Sequence, residues 1–375
     1  MRIAIVGCGF VADLYMATLA RHPELELVGV FDRDPVRMAR FSAYHALASY
    51  PTMDDLLADD RVETILNLTN PRSHFEVSRA ALMAGKHVYS EKPLAMEVQD
   101  AEALVALAED KNLRISGAPS RVLAEPAQTM WKLLRDGAVG TPYLAYAEMD
   151  DGLLHRMAFR QWKSTSGAQW PYIDELEVGN TLEHAGYALT WLVAFFGPAT
   201  SVTAFGARVV PDKKVDVPLD AQGADFASAC IQFASGPVAR LTCSIVAPHD
   251  HSIRIFGEEG TLSTDDCWKP RSPVRVRKRM TVRGRSMEMP WAREATLLGG
   301  SAGKARAKGL AKVDFCLGPV ELAHALREGR PSRLSPLFCL HVTEIALSIA
   351  KSLHEEAKVA IRSRFDPMEP MSWAR

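Results

Sequence analysis

Along the first third of the chain, apolar residues fall into short continuous runs that alternate with helical repeats. Arg2-Ile3-Ala4-Ile5-Val6 has the unbroken apolar character of a strand covered on both faces. The spacing of Leu14, Met16 and Leu19 that follows fits a helix. The same alternation returns, with strands at 27–31, 64–68, 87–89 and 113–116 and helices at 53–58, 75–83 and 98–110. Strand and helix in turn predict a doubly wound parallel sheet.

The pattern changes after Gly117. A helix over 126–136, stopped at Gly137, gives way to half-alternating runs at 143–149, 201–210, 226–233, 238–246, 253–256 and 261–263. Strands that follow one another without helices predict a large, mostly antiparallel open sheet in an α+β domain. Within it, residues 177–191 read as one helix that puts Asn180 and His184 on a shared face, flanked by Glu177 and Tyr187. Val274-Arg275-Val276-Arg277 reads as an edge strand whose charges discourage aggregation. Two helices, 319–328 and 338–354, and an extended segment from Arg364 to Arg375 close the chain. The expected division is a doubly wound domain over 1–120 and an α+β domain over 121–375.

Bulk composition narrows the class without choosing a function. With 375 residues the chain is too long for one comfortable core, which again favours two domains. A 47% hydrophobic and 24% charged composition with a formal net charge of -1 gives no global pull towards nucleic acid or membrane. The six cysteines show no CxxC pair and no metal-ligand spacing, so reduced thiols, no metal and a cytoplasmic setting are expected. No signal peptide is visible, and the most apolar run, 189–196, is too short to span a bilayer.

Three stretches carry chemistry. The first strand runs into Gly7-Cys8-Gly9-Phe10-Val11-Ala12, a GxGxxA turn in its required setting of strand, turn and helix. Gly7 allows the turn, Gly9 lets backbone approach a diphosphate, and Ala12 packs helix against strand, with Phe10 and Val11 completing the surface towards the cofactor. The second strand ends at Asp32, where a carboxylate accepts ribose hydroxyls and repels a 2′-phosphate, favouring NAD over NADP. Arg33 beside it pulls the other way, since a guanidinium can reach a 2′-phosphate. The third strand ends in Thr69-Asn70-Pro71-Arg72-Ser73-His74, a polar turn suited to cofactor contact in which His74 reads as structural rather than catalytic. The fourth leads into Glu91-Lys92-Pro93, placing an ammonium at a strand's carboxyl end, where open α/β sheets bind ligands.

These motifs, with Ala84-Gly85-Lys86-His87-Val88 before Glu91-Lys92-Pro93, stand in the order that resembles the glucose-fructose oxidoreductase / inositol dehydrogenase / rhizopine catabolism (Gfo/Idh/MocA) family. The resemblance covers essentially the whole chain and weakens between Cys267 and Lys312. It implies an NAD(P)-dependent oxidoreductase with an N-terminal Rossmann domain and a C-terminal domain that binds substrate and makes a dimer or tetramer. It implies catalytic roles for Lys92 and for His184 as general base, with Asn180 orienting both and with Glu91 and Lys92 near the cofactor. The family pattern has Asp where this chain has Asn180, which cannot stabilise an imidazolium by charge; Glu177, one turn upstream, is a candidate replacement.

The expected reaction moves a hydride between nicotinamide and a secondary alcohol or ketone of a sugar, cyclic polyol or glycoside. Arg121, Arg160 and Trp162, with Asn180 and His184, are the candidate substrate contacts; the aromatic and polar loop around Trp162 and Trp170 suits a carbohydrate or serves as a connector. The basic stretch from Lys269 to Arg285, continued by Lys304, Arg306 and Lys308, suggests an anionic substrate or a solvated strand, and not a nucleic-acid module. Two other readings stay open: a non-catalytic NAD(H) sensor, and an enzyme that recycles tightly bound NAD internally.

Overall fold

The structure is a computed structural model, and it describes residues 1–215, 223–299 and 313–375. Lys304, Arg306 and Lys308 therefore lie outside the described residues. The described chain forms two compact units. One takes Met1–Ser120, Met157–Glu177 and the described residues up to Leu347; the other takes Arg121–Arg156, the described residues from Val178 to Gly299, and Ser348–Arg375.

The first unit is built on five parallel strands in the order β2-β1-β3-β4-β5. These are β1 (Arg2–Val6), β2 (Glu26–Phe31), β3 (Thr64–Asn67), β4 (His87–Ser90) and β5 (Ile115–Gly117). The helices between them are α1 (Phe10–Leu19), α2 (Pro35–His45), α3 (Met53–Ala58), α4 (His74–Met83) and α5 (Val98–Asp110). Helix α2 was not evident from apolar spacing. Its start is coded instead by Asp34, whose carboxylate accepts from the amides of Val36 and Arg37, and by Pro35 at the first helical position.

Residues 157–177 carry the short helix α7 (Tyr172–Val178) up to Glu177. Asp13, in the first turn of α1 and 1% exposed, accepts from the Ser166 amide (3.1 Å) and hydroxyl (2.7 Å), and lies 2.6 Å from His45 Nε2. Burial alone would raise this carboxyl's pKa, but hydrogen bonds from Ser164, His45 and Ser166 outweigh it and hold it below the usual range.

The second unit holds α6 (Glu125–Arg135), α8 (Asn180–Phe196) and a mixed, mostly antiparallel sheet. Its strands are β6 (Pro142–Asp150), β7 (Ala199–Ala207), β8 (Phe226–Phe233), β9 (Val238–Ser244), β10 (Ile253–Gly257), β11 (Gly260–Thr264), β12 (Val274–Val282), β13 (Arg285–Glu288), β14 (Arg293–Ala295) and β15 (Val359–Ala360). They stand in the order β13-β12-β11-β10-β6-β9-β8-β7-β15, with β14 also on β12 and only β6 and β9 parallel among these pairings. Ala145, Ala147 and Met149 of β6, Ile231 of β8 and Leu241 of β9 are buried on strands against which α8 packs, and Leu189, Trp191 and Leu192 of α8 are themselves fully buried. Each fully buried aliphatic side chain of this kind contributes roughly 1.5–3 kcal/mol.

Two expectations need correction. Residues 177–191 are not one helix: α7 ends at Val178 and α8 begins at Asn180. Gly179 between them has φ +90°, and a Cβ there would lie 3.3 Å from the Gly223 Cα, so a tight backbone crossing breaks the helix. Nor is β12 an edge strand, since β11, β13 and β14 all pair with it. Its cations are matched by neighbouring acids, half-buried Arg275 with Asp265 (2.6 Å) and exposed Lys278 with Glu259 (3.3 Å).

The last two helices are α9 (Leu317–Glu328), packed on β4 and β5, and α10 (Pro336–Glu355). By length and composition α10 could cross a membrane, but 67% of its apolar window is buried within the protein, as for a core helix. The closing segment ends in a 3-10 turn, Ser372–Ala374, and the Met371 amide donates to Gln128 Oε1 on α6 (2.8 Å).

The Asp13 arrangement makes a stability prediction. Asp13→Ala strips His45 and Ser166 of a buried anionic partner and should cost about 3 kcal/mol in chemical denaturation. Because the folded carboxyl titrates below its unfolded value, this contribution is fully present above roughly pH 4 and fades as the pH falls through the folded value. An Asp13→Ala protein as stable as the wild type at pH 7 would contradict this anchor.

Candidate active site

Strand β1 delivers the chain into a turn fixed by close approach. Gly7 has φ +100°, and a Cβ there would meet the Leu68 carbonyl oxygen at 2.6 Å, so no other residue fits without distortion. Gly9 is the N-cap of α1, has no side-chain cap, and a Cβ built on it meets nothing within 4 Å. The first amides of a ten-residue helix thus border open space, the cradle a diphosphate requires. Phe10 and Val11 are half-buried at that helix start, and Ala12 is fully buried behind it.

Asp32 ends β2 beside this turn. Its carboxylate accepts from the Cys8 amide and the Asp34 amide, both at 2.8 Å, and Arg37 Nη1 lies 3.8 Å away. A carboxylate has about four acceptor positions, so it retains capacity for ribose hydroxyls. Arg33 is exposed. The residues present therefore fit a dinucleotide.

The turn after β3 and the Glu-Lys-Pro segment are tied together by His74. This imidazole is fully buried, with Nδ1 2.6 Å from the Pro93 carbonyl and Nε2 3.1 Å from the Thr69 carbonyl. Burial depresses its pKa against the opposing effect of these carbonyls, and the ring sits between the two loops with one nitrogen against each. The Thr69 hydroxyl donates to Asn67 Oδ1 (2.7 Å), while Asn70 and Pro71 lead into a 3-10 turn. Glu91 is buried, accepting from the Tyr15 hydroxyl (2.7 Å) and the Lys92 amide (3.2 Å), and this fixes the backbone from which half-buried Lys92 projects.

In the second unit, α8 carries Asn180 and His184 one turn apart. Asn180 is 3% exposed and its amide donates to the Asp225 carbonyl at 3.4 Å. His184 Nδ1 lies 2.8 Å from Asp151 Oδ2, at ion-pair distance. The carboxylate beside His184 is thus Asp151, just past the end of β6. Glu177, the residue expected there from sequence, instead accepts from Arg72 at 3.2 Å within the first unit.

Asp151 is part of a larger polar group. Its Oδ1 lies 3.0 Å from His251 Nε2. Burial would raise the Asp151 pKa, but the charge and hydrogen bonds of His184 and His251 outweigh it and hold the carboxyl well below the usual range. Next to it, Asp150 is pushed up to about 6 by burial and by the charges of Glu148, Asp250 and Asp151. Asp266, 3% exposed, lies 3.2 Å from His249 Nε2 and 3.9 Å from His251 Nδ1. Asp151, His249 and His251 each bring a ligand-capable atom within 4.8 Å of the others. None of these residues was singled out from sequence. The available signal was their position: Asp150-Asp151 directly follows a strand, His249 to His251 directly precede one, and Asp265-Asp266 directly follow another.

The remaining sequence candidates are placed variously. Arg121 is 4% exposed in a short 3-10 turn, buried rather than presented to solvent. Arg160 and Trp162 are exposed in the first unit, where Trp162 packs on Trp170 (5.1 Å between ring centroids) and Phe159 on Tyr172 (5.4 Å). Lys92 belongs to the first unit, Asn180 and His184 to the second.

Comparison with known proteins agrees with the fold. Residues 1–118 match the family described as an oxidoreductase family with an NAD-binding Rossmann fold, and residues 127–263 match the GFO/IDH/MocA C-terminal domain. UDP-N-acetylglucosamine 3-dehydrogenase of Acidithiobacillus ferrooxidans is 28% identical over 71% of this chain and 74% of its own length. Trans-1,2-dihydrobenzene-1,2-diol dehydrogenase of Bos taurus is 24% identical over 77% of this chain and 80% of its own. A solved levoglucosan dehydrogenase in complex with NADH and L-sorbose superposes with a TM-score of 0.76 at 19% identity, covering 97% of this chain and 99% of that one. With both of its domains matched, the chain belongs to the Gfo/Idh/MocA family of oxidoreductases and carries that family's NAD-binding Rossmann fold.

Proposed function

We propose that the protein moves a hydride between a nicotinamide cofactor and a secondary alcohol or ketone carbon of a sugar, cyclic polyol or glycoside. The observation that carries this reading is the open, uncapped Gly9 turn beside Asp32, joined in one chain to the Glu91-Lys92-Pro93 segment. The relatives' names add the substrate class: a nucleotide-sugar dehydrogenase, a cyclic diol dehydrogenase and an anhydrosugar dehydrogenase. Asp32 at the ribose position favours NAD over NADP.

When bound, nicotinamide supplies the hydride acceptor at its C4. Gly7, Gly9, Phe10, Val11 and Ala12 form the diphosphate turn, and Thr69, Asn70, Pro71 and Glu91 shape the neighbouring backbone, with His74 holding that backbone in place. Lys92 donates a hydrogen bond to the reacting oxygen and stabilises the alkoxide that forms as hydride leaves. His184 takes the hydroxyl proton, with its Nδ1 2.8 Å from Asp151 Oδ2. Asp151 fixes the ring and offsets the charge of its protonated form, a role that the amide of Asn180 cannot fill. The sensor reading rested on Asn180; the Asp151 carboxylate beside His184 supports the catalytic reading instead.

The first measurement is nicotinamide absorbance during a screen of polyols, free sugars and glycosides with added NAD. Reduced cofactor should accumulate with one of these classes; a full panel without reduction, and without products from bound cofactor, would overturn the assignment. Gly9→Ala should melt close to the wild type, because its Cβ meets nothing within 4 Å, yet bind NAD about tenfold or more weakly. Undiminished NAD affinity would remove the diphosphate from this turn. On the identified substrate, Lys92→Met should lose roughly 10²-fold or more in kcat while still binding NAD; wild-type turnover in this variant would show the mechanism to be wrong.

A further inference from the structure

We propose that Asp151, His249 and His251 form a binding site for one divalent transition-metal ion of the zinc type. The site shares Asp151 with the hydride chemistry proposed above but rests on its other oxygen and on His249 and His251.

The site is built by strand neighbours. β11, β10 and β6 lie side by side, and their adjoining ends bring Asp266, His251 and Asp151 together. Backbone pairing fixes this arrangement: the Asp150 and Asp250 amides exchange hydrogen bonds with each other's carbonyls (2.9 and 3.0 Å), and the Cys267 amide donates to the His251 carbonyl (2.9 Å). The ligand-capable atoms of Asp151, His249 and His251 lie within 4.8 Å of one another. Ligands around 2.1 Å from a tetrahedral ion stand about 3.4 Å apart, so the widest pair must close by up to about 1.4 Å. The His249 side chain, 51% exposed, is the least enclosed of the three. Two imidazoles and one carboxylate suit zinc, cobalt or nickel better than magnesium or calcium, and three protein ligands leave room for water.

Two further observations point to an ion. Asp266 stands behind both imidazoles, and its Oδ1 accepts from the Trp268 amide (2.8 Å) and the Lys269 amide (3.1 Å). A buried carboxylate facing the far nitrogen of a ligating histidine is the usual outer support of such sites. The second observation is His251 Nδ1, which is buried without a hydrogen-bond partner. While neutral His251 donates from Nε2 to Asp151, its Nδ1 lone pair faces the Asp266 carboxylate, acceptor against acceptor. Coordination through Nε2 moves the ring proton to Nδ1 and turns that opposition into donation. Trp268, with ring centroids 5.0 Å from His251 and 4.4 Å from Tyr187, walls the site.

The test uses untagged, full-length protein stripped with chelator and titrated with Zn²⁺ by calorimetry and with Co²⁺ by visible absorbance. The expected result is one ion per chain, with cobalt ligand-field bands of nitrogen and oxygen coordination. His249→Ala, at an exposed position that leaves the core intact, should weaken binding by at least about tenfold. His354→Ala, at an exposed histidine elsewhere, should not. No binding below millimolar metal, unchanged affinity in folded His249→Ala, or a thiolate-to-cobalt charge-transfer band would each overturn the proposal.

Discussion

A carboxylate taken out of water must be surrounded by donors, and this requirement organises both units. In the first, Asp13 at the start of α1 gathers His45 and Ser166, so a segment distant in sequence is held to the nucleotide fold. In the second, Asp151 gathers His184 and His251. Asp225, 1% exposed, does the same for Lys213 and the amides of Val209 and Val210. Leaving any one of these anions unpartnered costs several kcal/mol, so each fixes its neighbours more firmly than apolar packing, which tolerates sliding.

That constraint also explains what could be read in advance. The parallel sheet, the glycine turn, Asp32 and the Glu91-Lys92-Pro93 segment are local features, each written within a few residues: an apolar run, a turn residue, a charge at a strand end. Elements such as α3, α5 and β8 coincide with their apolar patterns for the same reason. Asp151 beside His184 is a different kind of fact. It depends on the register of β6 against β10 and β9, and on which face of α8 meets that sheet, and a single sequence encodes neither in any short window.

The misread elements share this origin. Residues 177–191 keep helical spacing, but Gly179, at φ +90° and close against Gly223, separates α7 from α8. The alternating Val and Arg of β12 suit an edge strand by composition, yet acids on neighbouring elements neutralise the charges and let three strands pair with it. In both cases a distant partner overrode a correct local pattern.

Asn180 stands where the family pattern has Asp, and in the proposed mechanism the carboxylate comes from elsewhere. A residue four before a histidine on a helix reaches the imidazole only through a short side chain on the same face, so changing its charge looks decisive in sequence. In space, an imidazole can be approached from any neighbouring element, and β6 ends where its next residue lies against Nδ1 of His184. With the carboxylate supplied from the sheet, the amide of Asn180 turns to the backbone beside Asp225. The imidazole therefore keeps an anion at one nitrogen, supplied by the residue after β6 and not by the helix position four before it.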